Sequence, residues 1–311
     1  MEKEEKKGFH SGLVSIVGRP NVGKSTLLNT LVGEKVSIVS KIPQTTRQQL
    51  RGIYNDERGQ IVFIDTPGFY KGEDRLDRFM YEASTSSFHD VDCLIYLVDT
   101  SRRVGEEEEA IVHQLKSVKI PIILGLNKVD LKGTHLPQYL ALWEKAKNKQ
   151  ISEMANFTLI ALSGKEAINT EKLLEIIFNY LPEGPALYPP DTVCDIPQKM
   201  VIADIIREKL FFMMREELPH ALGVAIEDMR PIKNKILNIK ALILVERDTQ
   251  KEIVIGKKGN VLKKVGTLAR RELEDLLETK IFLELYVKVK KDWREDLSLL
   301  QELGYSAMSP I

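Results

Sequence analysis

A glycine-rich motif directly follows the first apolar run of the chain and sets the strongest limit on its fold. Residues 13–17 are largely apolar, and residues 18–25 read G-R-P-N-V-G-K-S, which fits the pattern G-x-x-x-x-G-K-S. The main-chain N–H groups of such a loop point at phosphate oxygens, and the helix that follows adds its positive N-terminus. The motif therefore predicts a strand, a phosphate-binding loop and a helix at the start of the chain.

The side chains of this loop have separate roles in a nucleotide site. Lys24 can reach the β- and γ-phosphates, and the Ser25 hydroxyl can ligate Mg²⁺. We assign nucleotide binding to Gly18, Arg19, Pro20, Asn21, Val22, Gly23, Lys24, Ser25 and Thr26. The alternative is a glycine-rich turn that binds nothing, and the flanking strand and helix argue against it.

Apolar runs and helical patterns alternate through the first two thirds of the chain. Strand-like runs occur at residues 13–17, 50–54, 60–65, 93–99, 120–127 and 157–162. Helical patterns separate most of them, whereas a short turn joins the second run to the third. This order predicts a doubly wound α/β sheet that is mainly parallel and has one antiparallel pair.

A proline-rich stretch at residues 182–198 interrupts this alternation and marks a domain boundary. Beyond it follow an amphipathic helix at 200–218, two strand-like runs, a helix and a final strand at 280–289. We therefore predict a nucleotide-binding domain over 9–181, a linker over 182–198, a smaller α+β domain over 199–296 and a C-terminal tail over 297–311. Two domains fit a chain of 311 residues.

Charge is balanced overall but not along the chain. The 45 basic and 45 acidic residues cancel, yet residues 230–271 hold 12 basic and 3 acidic side chains, a local net charge of +9. A cluster of this kind is typical of a surface that binds a polyanion. Two cysteines are too few for a cysteine metal cluster. The sequence shows no apolar leader and no apolar run long enough to span a membrane, and we therefore expect a cytoplasmic protein.

Three further motifs stand at the ends of later strands. Asp65-Thr66-Pro67-Gly68 follows the third strand, where Asp65 can hold Mg²⁺ through water and the Gly68 N–H can meet the γ-phosphate. Asn127-Lys128-Val129-Asp130 follows the fifth, and the Asp130 carboxylate can accept from both donors on the guanine edge. Ser163-Gly164-Lys165 can offer main-chain N–H groups to the guanine O6. This ordered set predicts a guanine-nucleotide site. It argues against a P-loop kinase, which has no need of a guanine-reading loop.

The ordered motifs resemble those of the translation-factor-like GTPases, with a Ras-like P-loop fold. The resemblance makes Gln44-Thr45-Thr46-Arg47 the first switch segment, in which Thr46 ligates Mg²⁺ and senses the γ-phosphate, with Thr45 as the alternative. It assigns hydrolysis to Lys24, Thr46, Asp65 and Gly68, and the metal to Ser25, Thr46 and Asp65. Phe69 stands where Ras-like enzymes carry a water-orienting glutamine, so intrinsic hydrolysis is expected to be slow. Asn21 matches an asparagine that helps to hold K⁺ in related GTPases, although asparagine is common in turns.

The segment I-G-K-K-G-N-V-L at residues 255–262 resembles the signature of a KH domain, whose G-x-x-G loop clamps single-stranded nucleic acid. Periodicity alone predicts a strand over residues 251–256, and the resemblance predicts a short helix there. It implies a type II KH domain and RNA contacts from Gly256, Lys257, Lys258, Gly259, Lys263, Lys264, Arg270 and Arg271.

A KH domain joined to this GTPase domain resembles the Era family over residues 9–296. Membership implies GTP and GDP with Mg²⁺ as ligands, binding near the 3′ end of 16S rRNA, and a role in maturation of the small ribosomal subunit. It also implies partial association with the inner face of the cell membrane, and a monomer is expected. One departure is Gly164, where the family more usually has alanine.

Two other functions fit parts of the sequence. A regulatory G protein could use the basic domain for a protein or membrane partner, and RNA titration separates that reading from the first. A passive RNA-binding module could keep the nucleotide site for structure alone, and single-turnover hydrolysis separates it from an enzyme.

Asp130→Asn is expected to abolish GTP binding and to create binding of xanthosine triphosphate. The new amide opposes the guanine donors, whereas xanthine offers a carbonyl that suits it. Titration of both nucleotides measures the exchange, and an unchanged GTP affinity would refute the assignment of Asp130.

Overall fold

A computed structural model describes residues 8–40, 46–69, 72–88, 90–131, 135–214, 218–232 and 235–305. Within these ranges no helix combines the length and apolarity needed to cross a membrane.

The first domain is a six-stranded sheet with helices on both faces. Its strands are β1 (His10–Val17), β2 (Leu50–Asp56), β3 (Gly59–Asp65), β4 (Cys93–Asp99), β5 (Ile122–Asn127) and β6 (Phe157–Ala161), in the order β2-β3-β1-β4-β5-β6. Only β2 runs antiparallel to its neighbour, β3, and the other pairs are parallel. Every residue of β3, β4 and β5 is buried, as expected where helices cover both faces. The predicted doubly wound sheet is confirmed.

In the described part of this domain, five helices cover the sheet in two layers. They are α1 (Lys24–Val32), α2 (Arg75–Ser86), α3 (Glu106–Leu115), α4 (Leu136–Lys147) and α5 (Thr170–Phe178), with a short 3₁₀ turn at Ile151–Glu153. Helices α1 and α5 pack on one apolar cluster and α3 and α4 on another. The motifs at 18–25, 65–68, 127–130 and 163–165 stand at the carboxyl ends of β1, β3, β5 and β6. Thr46 precedes β2, but β2 is antiparallel and its first residue, Leu50, pairs with Asp65, so the sheet gathers all of these segments at one side.

The second domain is a three-stranded sheet with three main helices on one face. It contains α6 (Gln198–Met213), β7 (Gly223–Ile232), β8 (Ile236–Val245), α7 (Asp248–Ile255), α8 (Asn260–Leu276) and β9 (Ile281–Val289), with 3₁₀ turns at Leu218–Ala221, Lys257–Gly259 and Trp293–Glu295. Strand β8 lies between antiparallel β7 and parallel β9. The α+β prediction is confirmed.

Two local predictions in this domain have different outcomes. Residues 251–255 are helical, as the KH resemblance predicts and periodicity alone does not. The helix predicted over 200–218 is too long, because α6 ends at Met213 and Met214 is already extended.

The proline-rich connection runs along the outer strand of the first sheet. The Ile53 N–H donates to Val193 O at 2.8 Å, and the Asp195 N–H donates to Arg51 O at 3.1 Å. These main-chain bonds hold the connection against the first domain, so only a short path separates it from α6.

A further apolar cluster joins the two domains. Part of the predicted C-terminal tail forms α9 (Leu297–Glu302). The cluster holds Leu76 and Met80 of α2 with Leu244, Trp293, Leu300, Leu303 and Tyr305. The Trp293 indole N–H also donates to Ala221 O at 3.1 Å. The C-terminal segment therefore packs between α2 of the first domain and the sheet of the second.

Trp293→Ala is expected to lower the free energy of unfolding by about 3–5 kcal/mol, because it opens a cavity where the domains meet. The matched control is Phe212→Ala, since Phe212 is 79% exposed and its removal should change the free energy of unfolding by no more than about 0.5 kcal/mol. Urea unfolding followed by circular dichroism measures both. A loss in Trp293→Ala as small as the one expected for Phe212→Ala would mean that the cluster adds no stability.

Candidate functional site

The phosphate-binding loop curls around the amine of its own lysine. Lys24 is buried, and its Nζ donates to Gly18 O at 3.0 Å and Arg19 O at 3.1 Å. Burial lowers the pKa of Lys24 to about 8, although the nearby carboxylates of Asp65 and Glu107 oppose that shift. The amine is thus held at the centre of the loop, where nearby phosphates would favour its charged form.

The Arg19 side chain points away from this centre. Its Nε lies 2.7 Å from the Glu108 carboxylate of α3, and both side chains are buried. Of the predicted loop contacts, Arg19 can therefore offer the nucleotide its main chain, while its side chain anchors the loop to α3.

Asp65 is the point where the predicted metal ligands meet. Its Oδ2 accepts from Ser25 Oγ at 2.8 Å, Ser37 Oγ at 3.0 Å and Thr46 Oγ1 at 3.3 Å. Ser25 and Thr46 are themselves 2.9 Å apart. The structure thus brings together all three predicted metal ligands, while Gln44 and Thr45 lie outside the described residues.

This group of oxygens fits Mg²⁺. Asp65 Oδ1 is buried without a hydrogen-bond partner among the described residues, and its surroundings are hard oxygen donors. Burial raises the pKa of Asp65, against the opposing charge of Lys24. A divalent cation would favour the charged carboxylate instead.

Ser37 is a member of this group that sequence reasoning missed. Asn29 of α1 holds it: the Ser37 N–H donates to Asn29 Oδ1 at 2.8 Å, and Asn29 Nδ2 donates to Ser37 O at 2.7 Å. No motif marks Ser37, and its partner Asn29 stands eight positions earlier on a helix that carries several other polar residues, so the sequence gives no distinct signal for it.

The D-T-P-G segment lies against the phosphate-binding loop. Thr66 Oγ1 donates to Ile16 O at 3.0 Å, and the Pro67 carbonyl accepts from Ser84 Oγ at 2.8 Å. A side chain at Gly68 would come within 2.9 Å of the Pro20 main chain. The close approach places the Gly68 amide beside the loop, where the sequence predicts a γ-phosphate contact.

Phe69 faces the core and not the nucleotide site. Its ring is buried, 5.2 Å from the Tyr81 ring and 6.5 Å from the Phe88 ring, measured between centroids. The position that holds a glutamine in Ras-like enzymes therefore contributes packing here.

Asn127 joins the base-reading loop to the phosphate-binding loop. Its Nδ2 donates to Val22 O at 2.7 Å, and its Oδ1 accepts from the Gly164 N–H at 3.0 Å. The Gly164 amide, predicted to face guanine O6, is thus donated to Asn127 in this structure. A Cβ at position 164 would lie 3.0 Å from Leu27 Cα, so glycine lets α1 approach closely.

The rest of the base-reading loop is arranged around Lys128. Its Nζ donates to Asn21 O at 2.8 Å and to Asp99 Oδ2 at 2.7 Å. Burial opposes ionisation of Asp99, but the Lys128 hydrogen bond holds the pKa of Asp99 below its usual range. Asp130 is exposed beside the loop, and the exposed Lys165 pairs with Glu166. Asp99, at the end of β4, is a second residue that the motifs do not reveal.

Asn21 adopts a φ of 63°, a left-handed conformation that asparagine tolerates. Backbone geometry therefore gives a sufficient reason for an asparagine here, and its role toward K⁺ stays a prediction.

The G-K-K-G loop connects α7 to α8 as a tight turn. Gly256, Lys258 and Gly259 have φ values of 73°, 54° and 75°. Glycine adopts such angles without strain, and no heavy atom lies within 4 Å of a Cβ built at Gly259. The turn exposes the Lys257 and Lys258 side chains.

A groove of about 550 Å³ begins at this turn and runs between α8 and β9. Lys263, Gly266 and Arg270 line its helical side, and Phe282, which is exposed, lines its strand side. The groove combines positive charge, an open helix surface and an aromatic ring, which together suit single-stranded RNA.

The predicted RNA contacts on α8 do not all share this groove. Arg271 instead lines a second cavity, with Leu268 of α8 and Val39 of the first domain. Lys264 is four residues before Leu268 and lies on that same side of the helix. The structure therefore divides the four basic residues of α8 between two faces.

Comparison with known proteins supports both the GTPase domain and the KH domain of this chain. Residues 13–128 match a family described as 50S ribosome-binding GTPase, and residues 217–294 match the KH domain family. The chain is 45% identical to GTPase Era of Halothermothrix orenii over 297 residues, which cover 96% of this chain and 99% of that protein. It is 44% identical to GTPase Era of Geobacter metallireducens over 301 residues, with 96% and 98% coverage.

Two solved structures have the same architecture across both domains. One is a mutant of Aquifex aeolicus Era bound to GDP·AlF4⁻, with a TM-score of 0.88. The other is Era in complex with MgGDPNP and nucleotides 1506–1542 of 16S ribosomal RNA, with a TM-score of 0.90. Each is 37% identical to this chain and covers 96% of it, and the match spans 100% of each solved chain.

Fold and motifs together define a P-loop GTPase with a C-terminal KH domain. The whole-chain identities are specific within that class: the chain belongs to the Era family of GTPases.

Ser25→Ala is expected to weaken Mg²⁺-dependent GTP binding by about 10- to 150-fold, which corresponds to the roughly 1.5–3 kcal/mol of a hydrogen bond to a charged group. Ser37→Ala is the matched control, because both hydroxyls donate to Asp65 but only Ser25 is assigned to the metal. The loss of GTP affinity in Ser37→Ala should be clearly smaller than that in Ser25→Ala. Titration of GTP at several Mg²⁺ concentrations measures both, and equal losses would remove the metal assignment of Ser25.

Proposed function

We propose that this GTPase binds single-stranded RNA near the 3′ end of 16S rRNA and acts in maturation of the small ribosomal subunit. The observation that carries the proposal is the whole-chain match to an Era structure that holds both MgGDPNP and 16S rRNA nucleotides. The G-K-K-G turn and the groove beside it support the RNA half, and the Asp65 oxygen cluster supports the nucleotide half.

In the proposed reaction, water attacks the γ-phosphorus of GTP and the bond to the β–γ bridging oxygen breaks, which leaves GDP and inorganic phosphate. Lys24 and the Gly68 N–H stabilise charge on the phosphate oxygens, as expected for groups placed before the reaction begins. Ser25, Thr46 and Asp65 would hold Mg²⁺, which would neutralise further negative charge on the phosphate oxygens. Because Phe69 is packed in the core, it cannot orient the water, and we expect slow intrinsic turnover.

Guanine recognition is proposed for Asp130 and for the loop Ser163-Gly164-Lys165, in which the Gly164 N–H is donated to Asn127 in this structure and would have to be shared with the guanine O6. Asn127 holds these loops together, and the Lys128 stem covers the base. If Asn21 also helps to hold K⁺, hydrolysis will be faster in KCl than in NaCl at equal ionic strength.

RNA recognition is proposed along the α8–β9 groove. The G-K-K-G turn clamps the phosphate backbone, Lys263 and Arg270 neutralise phosphates, and Phe282 offers a ring on which a base can stack. Lys264 and Arg271 contribute longer-range attraction from the other face of the helix.

We further propose that the protein is divided into a GTPase domain over 9–181, a linker over 182–198, a KH domain over 199–296 and a C-terminal tail over 297–311. For location we propose the cytoplasm, with part of the protein at the inner face of the cell membrane. The charged KH surface suits an RNA or a membrane polyanion, and comparing the binding of an RNA oligonucleotide with that of anionic lipid vesicles distinguishes the two.

Replacing Lys263 and Arg270 together by aspartate should weaken RNA binding strongly, because both side chains line the groove. The matched control replaces Lys264 and Arg271 by aspartate, which makes the same charge change on the other face. The groove variant should also lose salt dependence, by about 0.7 in slope for each phosphate contact removed. The measurement is titration of a 16S rRNA 3′-end oligonucleotide at several salt concentrations.

Equal losses in the two variants would mean that net charge and not the groove binds RNA. No RNA binding by the wild-type protein would favour a G protein whose basic domain serves another partner.

A further inference from the structure

The side chain of Arg47 extends from the GTPase domain into the KH domain, where it is buried. It is 1% exposed. Nη1 donates to Leu222 O at 2.6 Å, and Nη2 donates to Pro219 O and His220 O, each at 3.1 Å. One guanidinium therefore binds three main-chain carbonyls of a single turn, around the 3₁₀ segment Leu218–Ala221.

Main-chain carbonyls hold this cation in place of a carboxylate. No salt bridge to Arg47 is present among the residues that the structure describes. The guanidinium also lies 5.8 Å from the centroid of the Phe211 ring. A planar guanidinium can donate to three carbonyls at fixed positions in only one orientation. The contact therefore depends on the local geometry of the KH turn and not only on the charge of Arg47.

The residue before Arg47 carries the predicted metal-binding hydroxyl. Thr46 Oγ1 is 2.9 Å from Ser25 Oγ and 3.3 Å from Asp65 Oδ2. Consecutive Cα atoms are about 3.8 Å apart, so an anchor at Arg47 restricts the main chain of Thr46 directly. On the other side of Arg47, β2 begins only three residues later, at Leu50.

The turn that accepts Arg47 is itself held against the start of α2, the helix that follows the D-T-P-G motif. Trp293 donates to Ala221 O, and the next residue, Arg294, lies 2.6 Å from Asp74 and 3.2 Å from Asp77 of the α2 start. The KH turn is thus braced by the same helix that follows the D-T-P-G motif. A braced turn can fix the position of a side chain that inserts into it.

We propose that Arg47 is a positioning residue through which the KH domain holds Thr46 at the metal site. The KH domain then forms part of the framework of the GTP-bound state, in addition to binding RNA. This inference rests on the proposed role of Thr46 toward Mg²⁺ and the γ-phosphate. It predicts that losing the Arg47 anchor selectively weakens the binding of a triphosphate.

The test compares the affinities of the full chain for Mg²⁺·GDPNP and Mg²⁺·GDP. Arg47→Ala should weaken GDPNP binding by roughly 5- to 150-fold, the usual range for coupled sites, and leave GDP binding within about twofold. Arg47→Lys keeps the charge but not the fork, so it should fall between wild type and Arg47→Ala. The control is Lys35→Ala, which removes contacts to Glu208 and Glu272 of the KH domain without touching Arg47 or Thr46. It should leave the ratio of the two affinities unchanged.

Two outcomes would overturn the inference. Equal loss of GDPNP and GDP affinity in Arg47→Ala would indicate a structural role only, and an equal change of the ratio in Lys35→Ala would indicate general loosening between domains. Thr46→Ala separates the inference from its basis. If Thr46→Ala weakens GDPNP and GDP binding equally, the proposed role of Thr46 fails. If Thr46→Ala weakens GDPNP binding selectively and Arg47→Ala does not, only the role of Arg47 fails.

Discussion

The nucleotide site depends on one buried amide, the side chain of Asn127 at the end of β5. By donating to Val22 and accepting from Gly164, it joins the phosphate-binding loop to both base-reading loops. A buried donor or acceptor left without a partner costs about 1–3 kcal/mol, so the three loops keep their relative positions or lose stability. The parallel sheet makes this possible, because β1, β5 and β6 all end at the same side.

The second constraint is the contact between the domains. The two segments of the GTPase domain that are expected to respond to the γ-phosphate both end on the KH domain. Arg47 reaches the turn at Leu218–Ala221, and α2 packs on Trp293 and Tyr305. A displacement of the KH domain from these two segments therefore breaks the hydrogen bonds that the Arg47 side chain donates to main-chain carbonyls, or the apolar packing on α2.

The sequence predicted the elements whose residues carry their own signal. The apolar strands, the phosphate-binding loop and N-K-V-D were predictable because each depends on neighbours in sequence. Ser37 and Asp99 were not, since their roles come from partners far along the chain. The burial of Arg47 was unpredictable for the same reason: an arginine in a polar loop is normally solvated, and only a distant turn supplies its acceptors. Residues 251–255 show the opposite limit, where a strand-like pattern forms a helix because the surrounding domain requires one.

The course of the proline-rich connection has a consequence for association between molecules. Strand β2 is an edge strand, and the unpaired N–H and C=O groups of such strands can pair with another chain and begin aggregation. Here Val193 and Asp195 occupy those groups on Ile53 and Arg51. A GTPase domain cut after Leu181 would leave this edge open to self-association, whereas one extended to Pro197 would keep it covered. The connection between the domains is thus also a protective strand for the first of them.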